Sequence, residues 1–294
     1  MQRFTRFRQV LVVAGVASLM LATSMSAGAS SISGKYNAAD AKLVPTVYKG
    51  TTLQVATDAT YAPDESMNGS TMVGFDVDLM YAVAKTLNIK VKEDNVTFDS
   101  ILLGVGDGRY QIGNSSFTDE KSREKQVNFV DYFQAGEGVY AKSSSTAKFT
   151  GLKSFCGSSV AVEIQTTEQS DAQKTAKACS SSKKLTVLSY PTQTEADLSV
   201  SSGHATFGFL DSQVAGYVVS QSKGVFKLAG KAIEVAPYGI ATPKSANGKQ
   251  LAVAIQAAIQ TLIANGTYGT ILKKYGVTAG ALSSSQIVLN GALS

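Results

Sequence analysis

Strand-like and helix-like apolar patterns alternate along most of this chain, and that alternation constrains the fold more than any other feature. Residues 53–57 alternate in the manner of a strand, and residues 79–87 carry apolar side chains at helical steps of three and four. The unit repeats with a strand-like run at 89–92 and a helical stripe at 98–105. Strands that alternate with helices indicate an α/β sheet, in which ligands bind at the carboxyl ends of strands.

A second α/β series follows a polar interruption at residues 142–147. Its predicted elements are strands at 159–163, 184–188, 207–210 and 238–241 and a long amphipathic helix over 251–262. The length of about 265 residues after the N-terminal segment discussed next agrees with one large or two ordinary domains.

The N-terminus has the pattern of an export signal. Three arginines precede an apolar run at residues 10–22, and small residues lead to a predicted cleavage after Ala29. The run is shorter than the roughly 20 residues of a membrane span, and no later segment is long and apolar enough. We therefore expect a signal peptide at 1–29, a flexible leader at 30–50 and an extracytoplasmic protein, in the periplasm or at the cell surface.

Charge and cysteine content narrow the function further. Without Arg3, Arg6 and Arg8 the 27 basic residues fall to 24, against 22 acidic ones, so nucleic acid is not an expected partner. The two cysteines, Cys156 and Cys179, form a disulfide in an oxidising compartment. Two cysteines and one histidine make a poor zinc set, and we predict neither a metal nor a cofactor.

Arg123 is the candidate binding residue that stands out. Only Arg109 and Arg123 lie beyond the signal segment, in a chain otherwise supplied with lysine. A guanidinium holds a carboxylate through two parallel hydrogen bonds, which an ammonium cannot reproduce. Asp211, predicted at a strand end, and the hydroxyls of Ser116 and Thr118 complete what a zwitterion needs. The alternative is a solvated surface arginine.

Six short motifs occur in consistent order between about residues 50 and 280. They are GFDVDL at 74–79, FD at 98–99, SFT at 116–118, REKQVNF at 123–129, YGIA at 238–241 and NGTY at 265–268. Together they resemble the polar amino-acid branch of the periplasmic-type solute-binding proteins, family 3.

The resemblance implies an α/β, two-lobed periplasmic-binding-protein fold of the type II-like class. Lobe 1 would comprise residues 51–141 and 236–294, lobe 2 residues 142–235, and two hinge strands would join them. A free polar L-amino acid would bind in the cleft between the lobes. As a monomeric substrate-binding protein of an ABC importer, the protein would deliver this ligand to a membrane permease.

The resemblance also assigns ligand contacts in lobe 1. Tyr61 matches the aromatic residue that stacks over the ligand, and Phe98 matches a second aromatic wall. Asn114 and Ser116 match hydrogen-bonding positions, and Arg123 matches the carboxylate-binding arginine. Asp58, also in lobe 1, aligns with an acid that contacts a polar or cationic side chain in some members.

In lobe 2, Thr166 and Thr167 match a turn that donates to the carboxylate, and Asp211 matches the ammonium-binding acid. Two departures stand out. Arg123 follows Thr118 by five residues, where three is common, so Lys121 competes for its role. Gln165 stands where glycine is common and could crowd the pocket.

The chief alternative is an enzyme, because secreted cyclohexadienyl or arogenate dehydratases share this fold. Such chemistry needs a general acid beside the leaving hydroxyl, for which the sequence offers Asp58 or Glu65. His204 falls outside the expected pocket, and a sensory domain would need a membrane span. Among ligands, Asp58 favours arginine, lysine, histidine or glutamine, whereas Lys121 leaves room for an acidic amino acid.

Overall fold

Helices and strands alternate through residues 34–292, which are the residues that the computed structural model describes. The predicted signal peptide lies outside them. The helices are α1 (Ala38–Leu43), α2 (Phe75–Leu87), α3 (Phe98–Gly106), α4 (Thr167–Ala178), α5 (Gln193–Ser202), α6 (Ser212–Gln221), α7 (Ala246–Ala264) and α8 (Thr267–Tyr275). None of these helices in the described range combines the length and hydrophobicity that a membrane span requires.

The strands fall into one large mixed sheet and one small sheet. They are β1 (Thr52–Thr57), β2 (Thr60–Tyr61), β3 (Glu65–Asn68), β4 (Thr71–Val73), β5 (Lys90–Asn95), β6 (Ile112–Gly113), β7 (Val127–Lys142), β8 (Ser159–Glu163), β9 (Thr186–Tyr190), β10 (Phe207–Asp211), β11 (Phe226–Leu228) and β12 (Ile233–Pro243). The large sheet has the order β5-β1-β6-β12-β7-β10-β8-β9, with β11 also paired to β7, and β2, β3 and β4 form the small sheet.

Parallel pairing at both ends of the large sheet matches the predicted α/β class. β1 lies parallel to β5 and β6, and β8 lies parallel to β9 and β10. In the middle, β7 runs antiparallel to β10, β11 and β12. We call the part built on β5, β1 and β6 lobe 1 and the part built on β10, β8 and β9 lobe 2.

Two long strands carry the chain between the lobes. β12 pairs with β7 from Pro243 opposite Val127 to Ile233 opposite Glu137, with irregular register between Ile233 and Ala236. Beyond Glu137, β7 pairs with β10. The predicted two-lobed fold with two hinge strands is thereby confirmed, while the residue boundaries of the lobes stay a prediction.

Each lobe has its own apolar core. In lobe 1, α2 and α7 bury Leu79, Leu251 and Ile255 against the sheet. In lobe 2, the ring of Phe155 lies 5.4 Å from that of Phe207 and 5.2 Å from that of Phe209. Since full burial of such a side chain stabilises by roughly 1.5–3 kcal/mol, these cores contribute most of the apolar packing within each lobe. The lobes can therefore move as units about β7 and β12.

The expectation of a flexible leader is wrong for residues 38–50. α1 is capped by Asn37, whose Oδ1 accepts from the backbone N–H of Ala39 at 2.9 Å. Asp40 accepts a hydrogen bond from Thr261 of α7 at 2.7 Å, and Val44 is buried in the lobe 1 core. Few apolar residues anchor this segment, so its sequence shows no helical stripe.

The predicted disulfide between Cys156 and Cys179 is present, with a Cα–Cα distance of 5.6 Å. Cys179 directly follows α4, and Cys156 follows a short 3-10 turn at Leu152–Phe155. The bond closes a separation of 23 residues and fixes the end of α4 beside the Phe155 core.

Replacing both cysteines by serine is expected to lower the free energy of unfolding by about 3 kcal/mol, because the open chain regains the entropy that the loop restricts. Guanidinium unfolding at neutral pH measures the loss, and the wild-type protein under reducing conditions should show the same change. An unchanged unfolding midpoint in the double variant would contradict this role.

Candidate functional site

A small cavity of about 10 Å³, room for one water molecule, lies between the lobes. Nine of the ten predicted ligand-binding residues line it: Asp58, Tyr61, Phe98, Ser116, Thr118, Arg123, Thr166, Thr167 and Asp211. Glu65, Ser115, Glu163 and Glu168 line it as well. Asn114 does not, because its side-chain amide turns into lobe 1 and donates to the carbonyl of Asp76 at 3.0 Å.

The topology explains why these residues meet. In lobe 1, Asp58 follows β1, Ser115 and Ser116 follow β6, and Phe98 opens the helix after β5. In lobe 2, Glu163 ends β8 and Asp211 ends β10. All of them stand at carboxyl ends of strands, where an α/β sheet places its ligands.

Arg123 is buried and braced by lobe 1 and lobe 2 together. Nη1 donates to the carbonyl of Thr118 at 2.9 Å, and Nη2 donates to the carbonyl of Gln165 in lobe 2 at 2.8 Å. Nε lies 3.5 Å from a Glu120 oxygen, and the guanidinium carbon lies 5.8 Å from the centre of the Phe98 ring. A guanidinium has five N–H donors, so each terminal nitrogen keeps one for a carboxylate.

Lys121, the competitor for the carboxylate, lies elsewhere. Its ammonium pairs with Glu124 at 3.2 Å on the surface, and the side chain is not part of the cavity lining. The geometry therefore supports Arg123 rather than Lys121 as the carboxylate partner.

Thr166 and Thr167 stand at the N-terminus of α4 with different tasks. The Thr166 hydroxyl accepts from the backbone N–H of Gln169 at 3.0 Å and caps the helix. The Thr167 hydroxyl lies 3.5 Å from that of Thr118, across the cleft. The first N–H groups of a helix have no acceptor within it, and three residues at this end of α4, Thr166, Thr167 and Glu168, line the cavity.

The expectation that Gln165 crowds the pocket is wrong. Its backbone adopts the left-handed conformation, with φ of 63°, which glycine adopts without strain. This conformation turns the carbonyl toward Arg123, while the side chain remains exposed. The residue keeps the backbone shape of a glycine and adds no bulk to the cavity.

Asp211 is buried on the lobe 2 side and bonded to Tyr61 of lobe 1. Its Oδ2 accepts from the Tyr61 hydroxyl at 2.8 Å, and its backbone N–H donates to the same hydroxyl at 2.9 Å. Burial raises the pKa of Asp211 to about 6, although hydrogen bonds from Tyr238 and Tyr61 oppose the shift. Tyr61 also packs on apolar side chains of lobe 2, so it forms a cavity wall and a contact between the lobes.

Glu163 and Glu168 are cavity residues that the sequence reasoning missed. Both are buried, and Oε1 of each has no hydrogen-bond partner within residues 34–292. Burial, followed by the nearby Asp58 and Glu168, raises the pKa of Glu163 well above its usual range. Burial and the neighbouring Asp211 raise the pKa of Glu168 to about 8. The sequence did hold one signal for Glu163, because this acidic residue directly follows the apolar run 160–162.

Asp58 holds its own lobe together at the cavity edge. Oδ1 accepts from the backbone N–H and the hydroxyl of Thr60, at 3.0 and 2.7 Å. Oδ2 accepts from the backbone N–H of Phe98 at 2.9 Å. Burial nevertheless raises the pKa of Asp58, and Glu163 faces it from lobe 2.

Ser116 stands above a buried group of acids in lobe 1. Its hydroxyl lies 3.0 Å from Asp64 Oδ2, 3.3 Å from Asp76 Oδ2 and 3.4 Å from Glu65 Oε2. The side-chain amide of Gln213, from lobe 2, donates to Asp64 at 2.7 Å. The Ser116 hydroxyl is thus engaged by carboxyl groups, and burial raises the pKa of Asp64 and Glu65 well above their usual range.

The cavity has an excess of acid. Among its lining residues in the described chain, five bear carboxyl groups and Arg123 bears the guanidinium; the five are Asp58, Glu65, Glu163, Glu168 and Asp211. A buried carboxylate is costly unless a cation or several donors compensate it. The charges of this lining match those of a small zwitterion with one further positive charge.

Comparisons with known proteins agree with this geometry. Residues 53–278 match the family described as bacterial extracellular solute-binding proteins, family 3. The arginine-binding protein ArgT of Corynebacterium glutamicum is 30% identical over 219 residues, which cover 74% of this chain and 71% of ArgT. The ABC transporter glutamine-binding protein GlnH of Bacillus subtilis is 27% identical over 206 residues, covering 69% of this chain and 72% of GlnH.

A solved structure gives the same result. An ancestral arginine-binding protein bound to arginine is 30% identical, with a TM-score of 0.71, and the alignment covers 76% of this chain and 97% of that protein. Since the family match spans most of the chain in both lobes, this protein belongs to the bacterial extracellular solute-binding proteins, family 3.

Proposed function

We propose that this protein is the substrate-binding component of an ABC importer and that its ligand is a cationic amino acid, such as arginine or lysine. The observation that carries the proposal is the imbalance of one guanidinium and five carboxyl groups around a single cavity. The name of the first relative, an arginine-binding protein, supports a cationic ligand. The name of the second, an ABC transporter glutamine-binding protein, supports an amino acid as ligand and an ABC transporter as partner.

The two ends of the amino-acid head group have partners in opposite lobes. Arg123 offers one N–H from each terminal nitrogen to the α-carboxylate, and Thr167 adds donors from the start of α4. Asp211 accepts from the α-ammonium, with Glu168 beside it. A ligand that bridges both lobes binds the closed form in preference to the open form, and so shifts the population toward closure.

The other end of the cavity selects the side chain. Glu163 in lobe 2 faces Asp58 in lobe 1, and Glu163 Oε1 is left without a partner in the described structure. A guanidinium or ammonium side chain would supply the missing donors and charge. A neutral side chain would leave this acid pair to share a proton, which makes binding weaker.

Export and delivery complete the proposal. Residues 1–29 would act as a cleavable signal peptide, and the folded monomer would work outside the cytoplasm. There the permease would distinguish the loaded protein by its closed shape. Lobe 1 at residues 51–141 and 236–294 and lobe 2 at 142–235 would be the parts that move.

The dehydratase alternative is less well supported. A carboxyl group with a raised pKa can act as a general acid, and Glu163 or Glu65 would be the candidate. Both named relatives are binding proteins, and the opposed Arg123 and Asp211 suit a ligand held at both ends of its head group. Product formation from prephenate or arogenate would reverse this preference.

Arg123→Lys and Asp211→Asn are each expected to weaken arginine binding at least tenfold, about 1.4 kcal/mol, because each removes an ionic contact with the head group. Isothermal titration calorimetry measures the affinity. Arg109→Lys is the matched control, since Arg109 is exposed and outside the cavity, and it should bind as the wild type does. Wild-type affinity in both site variants would refute the assignment.

Glu163→Gln is expected to change selectivity rather than abolish binding. Removing one carboxylate from the side-chain end should weaken arginine binding at least tenfold and alter glutamine binding by less than threefold, because glutamine carries no side-chain charge. Glu195→Gln, on the exposed face of α5, is the control. Equal losses of affinity for arginine and glutamine would show that Glu163 does not distinguish between the side chains of these ligands.

Arginine binding is expected to weaken at least tenfold between about pH 8 and about pH 5. The pKa of Asp211 is about 6 in the ligand-free protein, so at about pH 5 roughly nine molecules in ten carry a proton that a bound cation must displace. Glu168, with a pKa of about 8, adds to the effect in the same direction. Titrations in two buffers of different ionisation enthalpy measure the released protons, and a pH-independent affinity without proton release would contradict the electrostatic picture.

A further inference from the structure

Three carboxyl groups converge where the hinge strands meet α4, outside the ligand cavity. Glu137 lies in β7, Glu234 in β12 and Asp171 in α4, and one carboxylate oxygen of each lies within 4.8 Å of the other two. None of the three belongs to the cavity lining. We propose that Glu137, Asp171 and Glu234 bind a divalent cation and that Ca²⁺ is its natural occupant, a site that the sequence analysis did not expect.

The state of Glu137 is the observation that points to a ligand. Its side chain is 95% buried, since only 5% of its surface is exposed, and Oε2 has no hydrogen-bond partner in the described part of the chain. A buried carboxylate oxygen without a donor costs the full desolvation penalty of that atom. A cation held between the three carboxyl groups would offset the desolvation of Glu137 Oε2, because no hydrogen bond within residues 34–292 does so.

Lys174 does not already fill this role. Its ammonium lies 2.7 Å from Asp171 Oδ1, but the side chain is 72% exposed, and it has no ion pair with Glu137 or Glu234. Burial first, then the acids Glu168, Asp171 and Glu234, raise the pKa of Glu137 to about 10.

The ligand chemistry selects calcium among common divalent ions. The three side chains offer only oxygen ligands, up to six if all bind in bidentate fashion, and the adjoining surface groove gives water access. Ca²⁺ takes six to eight oxygens at roughly 2.3–2.6 Å in irregular geometry, which carboxyl groups from three separate elements can supply. Mg²⁺ demands a smaller, regular octahedron and keeps its waters.

The site would join helix α4 to the two hinge strands, β7 and β12. Two ligands come from β7 and β12, and the third comes from α4, whose N-terminus carries Thr167 and Glu168 of the ligand cavity. A bound ion would fix α4 against the hinge strands. Calcium would therefore stabilise lobe 2 in the orientation that presents these two residues.

Calcium titration of the full chain, after treatment with EDTA and without any amino acid, tests the site. We expect saturable binding with a dissociation constant of about 10⁻⁴–10⁻³ M, as in extracellular calcium modules, and a rise of several degrees in the unfolding temperature at about 5 mM CaCl₂. NaCl at equal ionic strength should give no such rise. Equal effects of the two salts would overturn the proposal.

Matched variants locate the site. Glu234 is exposed, so Glu234→Gln should fold normally and weaken calcium binding at least tenfold, as should Glu137→Gln. Glu195→Gln removes the same charge outside the cluster and should bind calcium as the wild type does. Lys174→Gln should bind calcium more tightly, because it removes a competing cation. Wild-type calcium affinity in both Glu137→Gln and Glu234→Gln would overturn the assignment, and this result would leave the amino-acid proposal untouched.

Discussion

The structure depends on a group of carboxyl side chains that the fold buries away from water and that need donors or cations to compensate them. Asp211, Glu163 and Glu168 are buried around the one guanidinium of Arg123, and lobe 1 adds Asp64, Glu65 and Asp76 beneath them. Hydroxyl and amide donors from Tyr61, Ser116 and Gln213 satisfy some of the oxygens. The oxygens that remain are raised in energy, and under the proposed function they would be the source of affinity for a positively charged ligand.

Several contacts across the cleft are polar, which suits a protein that must open again. Arg123 reaches the Gln165 carbonyl, Tyr61 reaches Asp211 and Gln213 reaches Asp64. Water can replace each of these partners when the lobes separate, whereas the apolar contact of the Tyr61 ring with lobe 2 is lost. Each lobe keeps its own core meanwhile, and the balance between open and closed forms is left to the ligand.

The sequence was sufficient where the pattern was periodic or the residue type was rare. Strand and helix alternation predicted the α/β sheet, and the scarcity of arginine singled out Arg123. Glu163 and Glu168 were missed because common acids carry no signal until the strand ends are placed side by side. α1 was missed since a polar hydrogen bond to Thr261, 221 residues away, anchors it. β9 starts two residues later than predicted because pairing with β8, not composition, sets where it begins.

β7 has a further consequence because it serves both lobes without interruption. Its first part pairs with β12 and its last part with β10, and nearly every side chain along its 16 residues is buried. Side chains on a strand alternate between the two faces, so one inserted residue near its middle would invert the facing of everything beyond it. Such an insertion would leave the side chains of β7 correctly placed in one lobe and move its buried side chains in the other lobe to the opposite face of the sheet. The structure therefore tolerates a change of length in its surface loops more easily than in this strand, where only a bulge such as the one at Tyr132 absorbs an extra residue.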